Sequence, residues 1–186
     1  SGGADAAADG YNSVPPAAQW NRTAGAAYLH YTPNETIGGV AFPFIPADVG
    51  VPLVADYSSS ILSEPLAVSK FAVIYAGAQK NIGPAGLVLV IVREDLLGRP
   101  RQTTPSILNW TQMAAEGSMS NTPPTFAWYM AGLVFQWIEA TGGLVAMGER
   151  NRRKASALYA AIDSSGFYRN PVATACGLAT LREIAE

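Results

Sequence analysis

Apolar residues along this chain fall in short blocks rather than long stripes. Residues 26–31, 40–45, 52–56, 71–75 and 87–92 form such blocks. Their length and β-branched content read as strands. They lack clean alternation, which implies a sheet covered on both faces. The 3–4 spacing of a helix is clear in one place. Phe126, Tyr129, Met130, Leu133, Val134, Trp137 and Ile138 predict a helix over 126–140 whose apolar stripe faces the core. Thr122-Pro-Pro-Thr125 supplies the start signals, with a threonine as cap. Gly142-Gly143 ends the helix. A second helix over 144–164 carries Glu149, Arg150, Arg152, Arg153 and Lys154 on a solvated face. Residues 34–39 read as a loop, 94–98 as a turn or short helix, and 99–117 as polar and irregular. Another extended piece starts at Phe167-Tyr168-Arg169-Asn170. The pattern predicts an α/β fold with a mostly parallel sheet covered by helices.

Composition narrows the class. The chain has 186 residues, 49% hydrophobic and 14% charged, enough for one sizeable domain with a real core. A net charge of −2 gives no electrostatic case for nucleic acid or an anionic membrane. No apolar run approaches the ~20 residues that span a bilayer. The opening residues show no basic-then-apolar pattern of a signal peptide. The single cysteine, Cys176, leaves no internal disulfide framework and fits a reducing, cytoplasmic setting. One His and one Cys leave no His/Cys zinc site. Residues 1–10 read as a flexible segment and 11–23, with Pro15-Pro16, as a connection.

Candidate chemistry centres on Phe71 to Arg93, where two apolar runs flank a Gly/Pro-rich turn holding Lys80. The chain has three lysines, Lys70, Lys80 and Lys154. Between two interior strands, Lys80 is expected to be buried. Burial disfavours the ammonium and favours the nucleophilic free amine. An ordinary turn lysine is solvated, and that is the commoner case. The small residues around Lys80 favour close approach of a ligand. Asp56 ends an apolar run, and Thr36 and Gln79 also lie just past strand ends, where α/β sheets collect ligands. Taken alone, Asp56 more often caps a turn, here with Ser58 or Ser59. Asn121-Thr122 stands before a helix start, a general phosphate-binding place and equally an ordinary N-cap. His30 reads as a strand residue with no partner to give it a role.

The segment YAGAQKNIGPAG (75–86) closely resembles the cofactor-lysine segment of phosphoserine aminotransferases, which are pyridoxal-phosphate enzymes. HYTPNETIGG (30–39), VADYSSSILSEP (54–65) and GSMSNTPPTFAWY (117–129) continue the resemblance from about Tyr11 to about Val172. It implies part of the large domain of a fold-type I aminotransferase, with residues 11–150 as the cofactor-binding core. Lys80 matches the Schiff-base lysine and Asp56 the partner of the ring nitrogen. Gln79 matches a residue holding the cofactor phosphate, and Thr36 a hydroxyl bonded near the ring. Asn121 and Thr122 match a pair that reaches the cofactor of the neighbouring subunit of a homodimer. The implied reaction passes an amino group from glutamate to 3-phosphohydroxypyruvate, in serine and also pyridoxine biosynthesis. The family's chain begins well before Tyr11, in a part carrying the ring-stacking aromatic and substrate-binding residues. The resemblance is expected to stop near Cys176. Residues 151–186 would then be a helix and the start of a shortened C-terminal region. The competing expectation is a large-domain unit that folds and dimerises without turnover. A cysteine desulfurase is a weaker alternative, because Gln79 stands where those enzymes usually carry His.

Overall fold

Branched and small apolar residues at 53–55 and 71–76 build the centre of the molecule. The computed structural model describes residues 13–37 and 39–167. In it, strands β1 (Leu29–Tyr31), β4 (Leu53–Asp56), β5 (Val73–Gly77) and β6 (Val88–Val92) form one sheet in the order β1-β4-β5-β6. Between them, β2 (Asn34–Glu35) and β3 (Val40–Ala41) form a separate antiparallel hairpin. Helices α1 (Trp110–Ala115), α2 (Thr125–Ala140) and α3 (Gly143–Ser165) follow the sheet. The pairs β1–β4 and β4–β5 are parallel and β5–β6 is antiparallel. This is the mostly parallel sheet that the apolar blocks predict.

Register sorts the side chains. Leu29, Tyr31, Leu53, Ala55, Ile74, Ala76, Leu89 and Ile91 share the face that packs on Tyr57, Ile61, Phe71, Ile82 and Ala131. The opposite face carries His30, Val54, Asp56, Tyr75, Val88 and Val90, and it is largely open. Val88 is 65% exposed. So the expected cover on both faces is not found among the described residues. The run 87–92 is not an interior strand but an edge whose burial alternates. Its letters are apolar at every position, so the alternation is invisible until a partner strand fixes which side meets the core.

Helix α2 departs from expectation in the same way. Ala127, Ala131 and Ile138 are buried, while Phe126 is 69% and Tyr129 64% exposed, and Leu133 and Trp137 are also exposed. The small residues make the contact because α2 crosses the Lys80-containing turn closely. A Cβ on Gly83 would sit 3.6 Å from the Ala131 backbone nitrogen. Pro124 occupies the N-cap of α2 and no side chain caps it, so the expected threonine cap is absent. Gly142 and Gly143 have φ of 102° and 71°, a left-handed turn that side chains disfavour. They end α2 as expected and start α3 at 85° to it. The charged face of α3 is exposed. Arg152 approaches Glu64 to 4.0 Å, and Arg150 lies 5.5 Å over the Trp137 ring.

Two stretches read as loop contain structure. Residues 34–39 include β2, and the region 99–117 includes α1, capped by Asn109, whose Oδ1 accepts from the Thr111 and Gln112 amides. Asn109 before Trp110 was a legible cap signal. The expected flexible segment 1–10, the extended piece beyond Phe167 and Cys176 lie outside the described residues. No single helix among the described residues is long and apolar enough to cross a membrane.

Candidate functional site

Parallel pairing puts the carboxyl ends of β4 and β5 side by side. Asp56, the last residue of β4, pairs with Tyr75 two residues before the end of β5. The chain then turns on each strand. After β4, Ser58 folds back onto Asp56: its backbone N–H donates to Asp56 Oδ1 at 2.9 Å and its Oγ donates to the same oxygen at 2.5 Å. Ser58 Oγ in turn accepts from the Gly77 N–H at 2.9 Å. One serine thus ties the carboxylate to the strand that leads to Lys80.

Lys80 is exposed, not buried. The turn after β5 carries it past the strand end, and the burial expected between two interior strands is not found. What holds it is a hydroxyl. Lys80 Nζ donates to Thr36 Oγ1 at 2.8 Å, across 44 residues of sequence. Thr36 comes from the β2–β3 hairpin, which is itself pinned to the loop after β4. Asn34 Nδ2 donates to Ser59 Oγ at 2.9 Å, and Ser59 Oγ donates to the Asn34 carbonyl at 2.9 Å. Gln79 folds its side chain back against Gly77. A Cβ there would meet the Gln79 Oε1 and would lie 2.8 Å from its Nε2. Glycine at 77 leaves the space that this Gln79 side chain occupies, and a larger residue there would turn the exposed amide away.

Lys80 is thus joined to Thr36, Asp56 is tied through Ser58 to the end of β5, and Gln79 lies against Gly77 at that same strand end. Asn121 and Thr122 are not joined to them by any hydrogen bond among the described residues. Both are exposed, and Asn121 Nδ2 donates to the Thr122 carbonyl at 3.2 Å. The start of the helix they precede does pass the Lys80-containing turn, since Pro124 lies 3.9 Å from a Cβ built on Gly86. A cleft of about 340 Å³, lined in part by Tyr31, Asn34, Phe42, Tyr57 and Ile61, borders the hairpin. Neither Asp56 nor Lys80 lines it, and the hydrogen-bonded edge has the better chemical claim.

Two residues had no signal in the sequence. His30 Nε2 lies 2.9 Å from the Tyr75 hydroxyl, and the two rings stack at 5.9 Å. Burial first, then the charge and hydrogen bonding of Asp56, push the Tyr75 hydroxyl above the usual tyrosine range. His30 is therefore not a bare strand residue. Only the register, which brings β1, β4 and β5 together, could have shown this.

An amine, a hydroxyl and a carboxylate at one edge suit a small ligand with a carbonyl for the amine and a basic nitrogen for the acid. Comparison with known proteins points the same way. Residues 8–181 match the family described as aminotransferase class V, so the resemblance runs past Cys176 rather than stopping there. A phosphoserine aminotransferase of Pseudomonas paraeruginosa is 59% identical over 162 residues, 87% of this chain and 45% of that protein. The solved phosphoserine aminotransferase from Bacillus circulans subsp. alkalophilus superposes with a TM-score of 0.85 at 45% identity, covering 90% of this chain and 46% of that one. A pyridoxal-phosphate-bound phosphoserine aminotransferase from Trichomonas vaginalis gives 0.81 at 43% identity, covering 86% and 47%. The chain spans about half the length of the relatives it matches. By sequence and by fold, it belongs to the class-V aminotransferase family.

Proposed function

We propose that this chain is the cofactor-holding core of a pyridoxal-phosphate-dependent phosphoserine aminotransferase. The hydrogen bond from Lys80 Nζ to Thr36 Oγ1 carries the reading, because it joins two of the expected anchors directly. The residues present fit the group. Gly77 leaves room for Gln79 to lie against the strand end, and Ser58 fixes one oxygen of Asp56. When bound, pyridoxal phosphate supplies an electron-accepting ring that stabilises negative charge at a substrate α-carbon.

Each residue then has a defined task. Lys80 would hold the cofactor through its Nζ, and the same amine would take and return the substrate α-proton. Asp56 keeps a proton on the ring nitrogen by remaining an ionised neighbour. Thr36 holds Lys80 in the free chain and bonds near the ring in the loaded one. Gln79 contributes to the phosphate site, and Asn121 and Thr122 complete that site in a neighbouring subunit of a homodimer. The substrates are glutamate and 3-phosphohydroxypyruvate, giving 2-oxoglutarate and phosphoserine. A related phosphorylated oxo acid of pyridoxine biosynthesis is a second substrate, and the setting is cytoplasmic.

A second reading is a unit that binds cofactor without turnover. Gln79, Lys80, Asn121 and Thr122 are all exposed, and that openness favours it. Borohydride reduction of the chain with pyridoxal phosphate, followed by peptide mass mapping, should place the label on Lys80, and Lys80→Ala should remove it. Label of equal yield elsewhere in the variant would sink the assignment. Formation of 2-oxoglutarate from glutamate and phosphohydroxypyruvate would separate the enzyme from the binding unit.

A further inference from the structure

The open face of the sheet carries a row of polar groups that reaches the proposed ring-nitrogen partner from behind. His30 is on β1, Asp56 on the neighbouring β4, and Tyr75 on β5 beyond it. Strand pairing sets His30 beside Val54 and Asp56 beside Tyr75, so all three share one face. To lie 2.9 Å from His30 Nε2, the Tyr75 hydroxyl must reach back across β4. Tyr75 is also the strand partner of Asp56 on that face. The stacked rings of His30 and Tyr75, 26° from parallel, hold it there.

We propose that Tyr75, braced by His30, is a positioning residue for Asp56 that fixes the carboxylate for its ring-nitrogen contact. The inference rests on the cofactor reading given above and goes beyond it. Proton counting sets the direction of the row. Asp56 as a carboxylate can only accept. With Tyr75 the strand partner of Asp56 on that face, its one hydroxyl proton is available to the carboxylate. His30 Nε2 must then carry its own proton and donate to the Tyr75 oxygen, which fixes the Nε2–H tautomer. Ser58 holds the same carboxylate from the loop side through Oδ1. Asp56 is thereby gripped from two directions, by a loop serine and by a tyrosine from the neighbouring strand. The energetic link from Asp56 to Tyr75 agrees, since the carboxylate's charge and hydrogen bonding both act on that hydroxyl.

The test compares binding of pyridoxal phosphate with that of its 1-deaza analogue, which lacks the ring nitrogen, by fluorescence titration of the full chain. Tyr75→Phe should weaken pyridoxal phosphate about fivefold, the worth of one partly exposed hydrogen bond, and leave the analogue unchanged. His30→Phe keeps a stacked ring and should act in the same direction by less. In an Asp56→Asn background, Tyr75→Phe should change nothing further. Equal loss for both ligands, or no loss for either, would show that Tyr75 only supports the sheet. If Tyr75→Phe does not fold, exposed His30 carries the same comparison. An Asp56→Asn variant with the unmodified chain's preference between the two ligands would instead overturn the role of Asp56 itself. Absence of saturable binding by the unmodified chain would overturn the cofactor reading, and the tyrosine inference with it.

Discussion

A single residue, Ser58, couples two of the chain's proposed functional strands. It donates twice to Asp56 Oδ1 and accepts from the Gly77 amide. The turn-cap and ring-partner readings of Asp56 are therefore not alternatives, because the capping oxygen is occupied while the residue stays at the strand edge. This changes what substitution should do. Asp56→Asn keeps an oxygen to accept from Ser58 and should change folding stability by less than about 1 kcal/mol, while lowering pyridoxal phosphate affinity. Ser58→Ala strips the Gly77 amide of its acceptor in a half-buried place and should cost about 1–3 kcal/mol. Urea unfolding of both variants, with cofactor titration alongside, reads the contrast. Equal stability losses would mean that Asp56 serves the turn alone. Of the proposed site, Thr36, Gln79 and Lys80 were named from the sequence because the family resemblance and their places after apolar blocks both single them out. Tyr75 was not, because it reads as one more apolar letter of its strand.

At the scale of elements, α2 shows how spacing finds a helix without finding its buried side. The stripe from Phe126 to Ile138 correctly predicted a helix, yet alanines make much of its contact with the rest of the molecule. Large side chains cannot sit where the backbone of the Lys80 turn comes within van der Waals reach, as it does at Gly83. The two glycines on helix interiors separate on the same ground. A Cβ on Gly132 would meet nothing within 4 Å, whereas one on Gly148 would stand 3.2 Å from the Glu64 Cβ. Gly132→Ala should therefore stabilise the chain by about 0.5–1 kcal/mol through helix propensity and reduced unfolded-state freedom. Gly148→Ala should gain less, because the contact between α3 and residue 64 must give way. Paired denaturation curves measure this. A gain at Gly148 equal to that at Gly132 would contradict the close packing. Nearby, Asn151 Nδ2 donates to the Ser63 carbonyl at 2.9 Å, a tie between α3 and the same loop.

Across the whole molecule, the aromatic residues of the core make stability depend on alkaline pH. Burial, with Tyr57 beside it, pushes the Tyr31 hydroxyl far above its usual range, and burial raises Tyr57 as well. An unfolded tyrosine releases its proton near a pH of about 10, while the folded residues retain theirs. Their contribution is complete below that point and is lost as pH rises beyond it, because the unfolded state then binds fewer protons than the native one. Thermal midpoints should fall steeply above a pH of about 10. Tyr31→Phe, which keeps the ring packed 5.1 Å from Phe42, should flatten the fall. An unchanged slope in the variant would exclude Tyr31 as its source.

Sequence by itself determined the strand blocks, the two long helices, the glycine pair that separates them, and a family whose cofactor is pyridoxal phosphate. These follow from local period, from turn chemistry and from ordered motifs, all of which are written along one dimension. Which apolar faces are covered, the exposure of Lys80, and the pairing of His30 with Tyr75 on the strand beside Asp56 were decided only by the tertiary structure. Each depends on parallel register between segments far apart in the chain. A strand's letters do not say which neighbour it will take, or which of its two sides that neighbour will turn toward the core.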